Sequence, residues 1–299
     1  MLIKSSPAKN NICAVVVSHD PGEDFILNIR SIVPQVGKVV VVNNGSKKFK
    51  SAFLEKAGFE DKIYLINNSE NLGQGKALNQ GVRWALSQDF KWVLLSDQDS
   101  LLGPSMVQEL VKAYQSYSQR EKVGMIGSNC TYRSIKEVKY KKECRGKMYF
   151  ERDVVMMSGS LLSVLAYNQA GPFREEFFID AIDMDYCLKL RAKGFRLIVA
   201  CRAQMFHNVG KMTGQRFFGR KGFVTNHSPE RCYYMIRNMV VLLKEYVFRE
   251  PYWVLRNIVW LFFVKPSCVI LYEKDKAKKI KEMIRGFFHG LIGKLGKYQ

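Results

Sequence analysis

The sequence predicts an α/β protein: an open, mostly parallel central sheet with flanking helices, followed by a helical C-terminal extension. Three observations predict it. Short β-rich apolar runs recur through the first half, and each ends in small or polar residues. Segments of helical spacing separate these runs, at the pace of βαβ units with right-handed crossovers. Past residue 225 the pattern changes to aromatic and apolar stretches carrying lysine and arginine.

Ile12 to Ser18 is the first run, closed by Ser18, His19, Asp20, Pro21 and Gly22. Val39 to Val42 is the second, closed by Asn43, Asn44, Gly45 and Ser46, and Lys62 to Ile66 the third, closed by Asn67 and Asn68. Lys91 to Ser96 is the fourth. Between them, helical spacing places Phe25, Ile29, Ile32 and Val33 on one face, then Phe53, Leu54 and Ala57, then Ala77, Leu78, Val82, Trp84 and Ala85. Open sheets of this kind bind ligands at the carboxyl ends of their strands.

The fourth run ends abruptly in Asp97 and Asp99, one residue apart. Two carboxylates there are costly to desolvate unless a positive group joins them, and a divalent cation carrying a phosphate is a natural partner. An Asp-rich turn capping the helix that starts near Pro104 accounts for them equally well. Asn71 to Gly81 joins the third strand to its helix and carries Gly73, Gly75 and Lys76. A P-loop fails on Glu70 and Ala77, and a dinucleotide fingerprint fails on Leu78, so the residues alone favour a tight helix entry.

Met106 to Tyr117 has the spacing of a helix, and Val123 to Cys130 that of a strand. Tyr132 to Arg152 is polar and basic, a loop or hairpin reaching out of the core. Val154 to Met157 is expected as a short strand closed by Ser158, Gly159 and Ser160, with a helix over Leu161 to Asn168. Gly171-Pro172-Phe173 marks a turn. Asp180, Asp183 and Asp185 then gather at the start of a helix ended by Gly194, where complementing the helix dipole is the default role for two of them. A strand over Phe195 to Ala200 and a polar exit at Phe206-His207-Asn208 follow.

Composition bounds the partners. With 299 residues, 47% of them hydrophobic, the chain holds a large core, and its formal net charge of +20 calls for anionic partners. The seven cysteines form no C-x-x-C pair, so neither a zinc site nor a disulfide framework is signalled. The start, MLIKSSPAKN, has no apolar h-region. A reducing cytoplasmic location is therefore expected.

Cys232 to Tyr246 is expected as an aromatic, apolar helix. Trp253 to Tyr272 is more apolar, but Arg256, Asn257, Lys265 and Pro266 interrupt it before it reaches the length of a spanning helix. The lysines from Lys274 to Lys281 and the stretch RGFFHGLI suggest a helix lying in a membrane interface, the alternative being a helical subdomain with a solvated lysine face. The expected organisation is a tail over 1–10, an α/β domain over 11–225 and a basic helical segment over 226–299.

Taken in order, VVVSHD, VVNNGS, NLGQGKALNQG, SDQDS, MSGSLL, GPFREEFFIDAIDMDYCLKLRAKG and FHNVG resemble glycosyltransferase family 2, with the fold called GT-A, over residues 11 to 215. Within it, DQDS, FFIDAIDMDYCL and RGFFHGLIGKLGK are similar to the bacterial rhamnosyltransferases. The resemblance implies an inverting transfer of L-rhamnose from dTDP-β-L-rhamnose to a lipid-linked saccharide, with Mg²⁺ or Mn²⁺. It places Ser18 and His19 in the nucleotide pocket and Asn44 facing the base. Asn43 stands where many relatives have Asp. Asn71, Gly73 and Lys76 are placed near the ribose and diphosphate, and Asp97, Gln98 and Gly159 on the donor. Asp99 and His207 would hold the metal. Many relatives supply the catalytic base from a Glu-Asp pair, and here Ile182-Asp183 stands instead, which leaves Asp183 as the base and Asp180 as runner-up.

The implied setting is the inner face of the bacterial plasma membrane, with the protein peripheral on its anionic surface and self-association left open. A UDP-hexose or UDP-galactofuranose donor is the alternative within the family. An alternative of another class is a basic nucleic-acid-binding protein, although no nucleic acid is expected as partner, since the regularly placed aromatic platforms of such modules are missing.

Overall fold

The apolar runs of the first half bury almost completely. Ile12 to Val16, Val39 to Val42 and Trp92 to Leu95 are closed off from solvent, as strands covered on both faces require. The computed structural model describes residues 3, 5–22, 24–47, 49, 58–207, 213–217 and 220–298. The helix expected around Phe53, Leu54 and Ala57 lies outside them, as does Asn208. Two compact units form: residues 1–173 with 186–208, and residues 174–185 with 209–299.

The first unit contains β1 (Ile12–Ser18), α1 (Asp24–Ile32), β2 (Lys38–Asn44), β3 (Ile63–Asn68), α2 (Gln74–Ser87), β4 (Trp92–Asp97), β5 (Ser100–Leu102), α3 (Met106–Ser116), β6 (Val123–Tyr132), β7 (Glu137–Val138), β8 (Tyr149–Glu151), β9 (Ser160–Ser163) and α4 (Val164–Ala170). The helix α5 (Ile182–Ala192) opens with residues of the second unit, and β10 (Arg196–His207) follows. The sheet order is β3-β2-β1-β4-β9-β6-β10-β5. The first four strands are parallel, with Val15 opposite both Val40 and Leu95. β9 then runs antiparallel to β4 and β6, and β5 antiparallel to β10, while β6 and β10 are parallel. The sheet is therefore mixed rather than mostly parallel.

The reversal at β9 corrects a second expectation. Val154 to Met157 is not a strand; the strand is Ser160–Ser163, and the helix after it begins at Val164. Serines disguised it. Ser160 is fully buried with its hydroxyl on the Met156 carbonyl, and Ser163 turns to cap α4 by accepting from the Ala166 N–H. Strand β10 also runs past Ala200 to His207, because an irregularity between Ala200 and Gln204 carries the polar stretch through.

The basic stretch after Tyr132 folds back rather than reaching out: β7 pairs with β6, β8 pairs with β10, and Tyr140 is buried. That return joins Cys144 to Cys201 in a disulfide, with Cα atoms 5.2 Å apart. No spacing rule marks a pair 57 residues apart, which is why the cysteine pattern did not signal it.

The second unit holds the hairpin β11 (Thr213–Phe217) and β12 (Arg220–Val224), then α6 (Pro229–Tyr246), α7 (Pro251–Val259), a π-helical turn over Trp260–Val264, α8 (Lys265–Tyr272) and α9 (Lys276–Ile292). α6 and α9 pack closely because Gly286 and Gly290 sit one turn apart on α9. A Cβ at Gly286 would lie 2.5 Å from the Tyr233 carbonyl oxygen, and one at Gly290 2.6 Å from that of Arg237.

Candidate functional site

The site grows from the carboxyl ends of β1, β2 and β4. β4 delivers Asp97 at its last position, and the turn to β5 presents Gln98 and Asp99. β5 pairs with β10 so that Ser100 stands opposite His207. Ligand atoms of Asp97, Asp99 and His207 all come within 4.8 Å of one another. Asp97 and Asp99 thus share one cluster, although the family resemblance puts Asp97 on the ribose or sugar of the donor and Asp99 on the metal.

Hydroxyls hold this cluster in place. Ser100 Oγ lies 2.8 Å from His207 Nδ1 and 2.7 Å from Ser158 Oγ, and Ser158 Oγ accepts the Asp97 N–H at 2.9 Å. His207 Nδ1 is 3.3 Å from Asp99 Oδ1. Burial works against a charged imidazole here, but the hydrogen bond that Asp99 accepts from the ring and the charges of Asp97 and Asp99 outweigh it and hold the His207 pKa above its ordinary value. From α1, the Asn28 amide donates to the carbonyls of Asp97 and Ser100 and braces the turn from below. Gly159 closes the back. Its φ is +75°, and a Cβ there would lie 2.5 Å from both Ser128 Oγ and Met205 Sδ.

Around the cluster, amides form a frame. Gln98 Oε1 accepts the His19 N–H at 2.7 Å and the Ser18 hydroxyl at 3.2 Å, and its Nε2 donates to the His19 carbonyl at 3.0 Å. This side chain therefore fixes the end of β1. His19 Nδ1 lies 2.9 Å from the Asn44 carbonyl. The Asn44 amide faces the Asn71 loop rather than open space: Nδ2 donates to Asn71 Oδ1 and the Gly73 carbonyl, and Oδ1 accepts from Leu72 N and Asn68. Asn43 donates to Asn67 and accepts from Ser46 N, whose hydroxyl donates to Asp20 at 2.8 Å. Asn43, Asn44 and Asn71 thus shape the pocket wall more than they offer free groups to it.

Gly73, at φ +87°, is the N-cap of α2. The tight helix entry is therefore present, and it also points the N-terminus of α2 at the site, since Gln74 Nε2 donates to Asp97 Oδ1 at 3.2 Å. Lys76 is exposed in the first turn of that helix. Gln74, Ser100, Ser158 and Asn28 were missed as site residues. Ser100 and Ser158 stand inside quoted motifs, but a serine at or just before the start of a strand has no signature of its own.

The remaining candidates lie in the second unit. Asp183 and Asp185 sit in the first turn of α5, and Asp180 lies just before it. Asp183 Oδ1 accepts the Met184 N–H at 2.9 Å. Asp185 is fully buried, with Arg174 Nη2 at 3.1 Å, and the same guanidinium pairs with Glu245. Asp180 is held bidentately by Arg231, and burial raises its pKa against the pull of that guanidinium.

Phe178, Asp180 and Ala181 all have φ near +60°. Their loop is tied by Asn238 of α6, whose Nδ2 reaches the carbonyls of Phe177, Ile179 and Asp180 at 2.8 to 3.1 Å. Arg237 donates to the carbonyls of Glu176 and Phe177. The YYMIRN stretch therefore works as a clamp on the loop ahead of Asp183.

Comparison with known proteins agrees with this geometry. Residues 15–159 match the family model described as Glycosyl transferase family 2. The dTDP-rhamnosyl transferase RfbF of Shigella flexneri is 26% identical over 96% of this chain and 97% of its own. The low-salt glycan biosynthesis hexosyltransferase Agl10 of Haloferax volcanii is 24% identical over 96% of this chain and 93% of its own. Among solved structures, S. aureus TarS (residues 1–349) superposes with a TM-score of 0.62 at 13% identity, covering 93% of this chain and 80% of that one. The mannosyltransferase PcManGT of Pyrobaculum calidifontis, solved with GDP-Man and Mn²⁺, gives 0.59 at 14% identity, covering 96% and 88%.

Proposed function

We propose that this chain, a rhamnosyltransferase-like glycosyltransferase of family 2 with the GT-A fold, moves L-rhamnose from dTDP-β-L-rhamnose to a hydroxyl of a lipid-linked saccharide, with inversion at C1. One observation carries the reading. Asp97, Asp99 and His207 converge at the strand ends, beside the entry to α2, in a chain similar over 96% of its length to a dTDP-rhamnosyl transferase.

The donor set fits a divalent cation. The two carboxylates offer the hard oxygens that Mg²⁺ and Mn²⁺ take, and the imidazole adds a borderline nitrogen beside them. Asp99 and His207, with Asp97 beside them, would hold the ion, which supplies Lewis-acid charge to the diphosphate of the donor when bound. Ser100 and Ser158 keep His207 and the Asp97 backbone oriented for that task. Gln98 fixes Ser18 and His19 as the nucleotide-side wall, and Gln74 steers Asp97.

Asp183 is assigned as the base. An acceptor hydroxyl is a poor nucleophile until its proton is removed, so Asp183 takes that proton as the oxygen attacks C1. The new C1–O bond forms while the bond to phosphate breaks, and its electron pair departs with dTDP. One carboxylate suffices because no sugar–enzyme bond is made. Asp180 is less suited, since Arg231 already occupies both its oxygens.

The acceptor and location complete the proposal. A net charge of +20 and an apolar C-terminal helix suit a cytoplasmic enzyme, peripheral on the anionic inner face of the bacterial plasma membrane, where a growing lipid-linked saccharide is presented. The test is Asp183→Asn. It abolishes transfer while dTDP-rhamnose binding persists, and undiminished turnover by that variant removes Asp183 from the mechanism.

A further inference from the structure

In the second unit, the continuous helix over Pro251–Tyr272 is built inside out. A water-exposed helix buries its apolar stripe and shows its charges. Here Lys265 is 5% exposed, while Leu255 is 63%, Phe263 66%, Phe262 52% and Leu271 56% exposed. The inward stripe is narrow: Trp253 with Val254, then Leu261, Lys265 and Val269, the last three at intervals of four residues. The Lys265 ammonium is neutralised inside, bonding Glu273 at 2.8 Å, and Glu273 is bonded in turn by Lys279 at 2.7 Å.

Glu273 and Lys279 are 3% and 2% exposed. Burial alone would raise the Glu273 pKa, but the two lysines outweigh it and hold it below the ordinary carboxylate value. This buried triad fixes the corner between α8 and α9, which leaves the outward face of Pro251–Tyr272 apolar apart from Arg256 and Ser267.

α9 continues that face. Its exposed apolar residues are Ile284, Phe288, Leu291 and Ile292, spaced i, i+4, i+7 and i+8 along one stripe. Ring contacts join the two stripes, from Phe262 to Phe287 at 5.7 Å and from Phe287 to Phe288 at 5.8 Å. Lys274, Lys276, Lys278 and Lys281 are exposed in the same segment.

We propose that these outward faces form one docking surface that lies flat in a single leaflet of an anionic bilayer. The apolar side chains enter the headgroup and acyl boundary, and the exposed lysines meet lipid phosphates. This deepens the proposal above that the enzyme works at a membrane.

Charge selects the occupant. A second copy seated on this face would bring its lysines against those of the first, whereas anionic lipid complements them. Length alone would permit a crossing, since 22 helical residues extend about 33 Å. The inward stripe decides against it, because it is taken up by packing against α6 and α9 and carries the buried ion triad.

The test uses the full chain and sedimentation with phosphatidylglycerol/phosphatidylcholine vesicles. Leu255→Asp with Phe263→Asp alters only exposed positions and should weaken binding by about tenfold or more. Lys276→Glu with Lys278→Glu and Lys281→Glu should remove the preference for phosphatidylglycerol over pure phosphatidylcholine. Alkaline carbonate should release the bound protein. The proposal is overturned by equal vesicle binding of the Leu255/Phe263 variant, by retention in carbonate, or by a wild-type dimer that this variant dissolves. Melting of the same samples with and without dTDP-rhamnose separates the two claims: docking without a donor response refutes the donor assignment alone, and a donor response without docking refutes this surface alone.

Discussion

Asn238→Ala tests whether the loop ahead of Asp183 is held in a working shape by α6. The wild-type amide reaches three carbonyls with two protons, and its Oδ1 accepts from Arg237 Nε at 2.9 Å. On truncation the Phe177 carbonyl keeps Arg237 Nη2 at 2.9 Å, so the carbonyls of Ile179 and Asp180 bear the loss. Two part-buried carbonyls losing a partner cost at most about 1–3 kcal/mol each, so up to about 6 kcal/mol if the loop stays put. The loop does not have to stay put. Phe178, Asp180 and Ala181 are held at positive φ, and such conformations cost about 1–3 kcal/mol each, a strain of similar size that relaxation would release.

The two ranges overlap, so the variant should remain folded with a loop that has lost its shape. The expected result is a modest drop in melting temperature, a fall in kcat of about tenfold or more, and dTDP-rhamnose affinity within about twofold of wild type. Steady-state kinetics with a donor-binding titration reads all three. Asn238→Asp, which keeps the size and the Oδ1 acceptor but not the donors, should behave like the alanine variant. Unchanged kcat in both, at a temperature where both are folded, would refute the clamp.

Two further outcomes follow from the geometry. Asp99→Asn should weaken Mn²⁺ binding by about tenfold to a hundredfold by calorimetry and leave transfer that EDTA barely lowers further, whereas wild-type transfer should stop in EDTA; equal EDTA-insensitivity in both proteins would argue against a cation at the cluster. His227 lies among Arg231, Lys265 and Lys279, and burial first, then their charges, push its pKa down to about 3, against the opposing charge of Glu273. The folded chain therefore keeps this imidazole neutral while the unfolded chain protonates it below about pH 6.5, so stability falls on acidification between those values, by about 2 kcal/mol from pH 7 to pH 5; His227→Gln should flatten that part of the melting profile, and an unchanged slope would contradict it.

Much of this was legible in the residues because apolar runs and their polar stops report burial directly. The strands Ile12–Ser18, Lys38–Asn44 and Trp92–Asp97 stand within a residue or two of where their hydrophobic patterns put them, and the Asp97–Asp99 turn falls at the strand ends as open sheets require. Wherever polar residues are buried by local bonding, the pattern misleads. Ser160 and Ser163 hid β9, and with it the antiparallel step that makes the sheet mixed. Asn44 looked like a free ligand group at a strand end, yet its amide closes on the loop that follows β3.

Long-range pairs were invisible for another reason. Arg231 with Asp180, Cys144 with Cys201, and Lys265 with Glu273 and Lys279 depend on where the chain returns, which no local window records. The Trp253 to Tyr272 segment shows the same limit: Lys265 looked like a break in an apolar helix, but it is buried, while Phe262, Phe263 and Val264 beside it are exposed.

The donor is the centre of the account, and one measurement addresses it most directly: the melting temperature of the full chain with Mn²⁺ and each of a panel of nucleotide sugars. A ligand that binds only the folded state raises it, by about 2.7 kcal/mol of added stability at a hundred times its Kd. A clear rise is expected with dTDP-β-L-rhamnose, with little response to UDP-hexoses, UDP-galactofuranose or GDP-mannose. A rise with one of those and none with dTDP-rhamnose would contradict it.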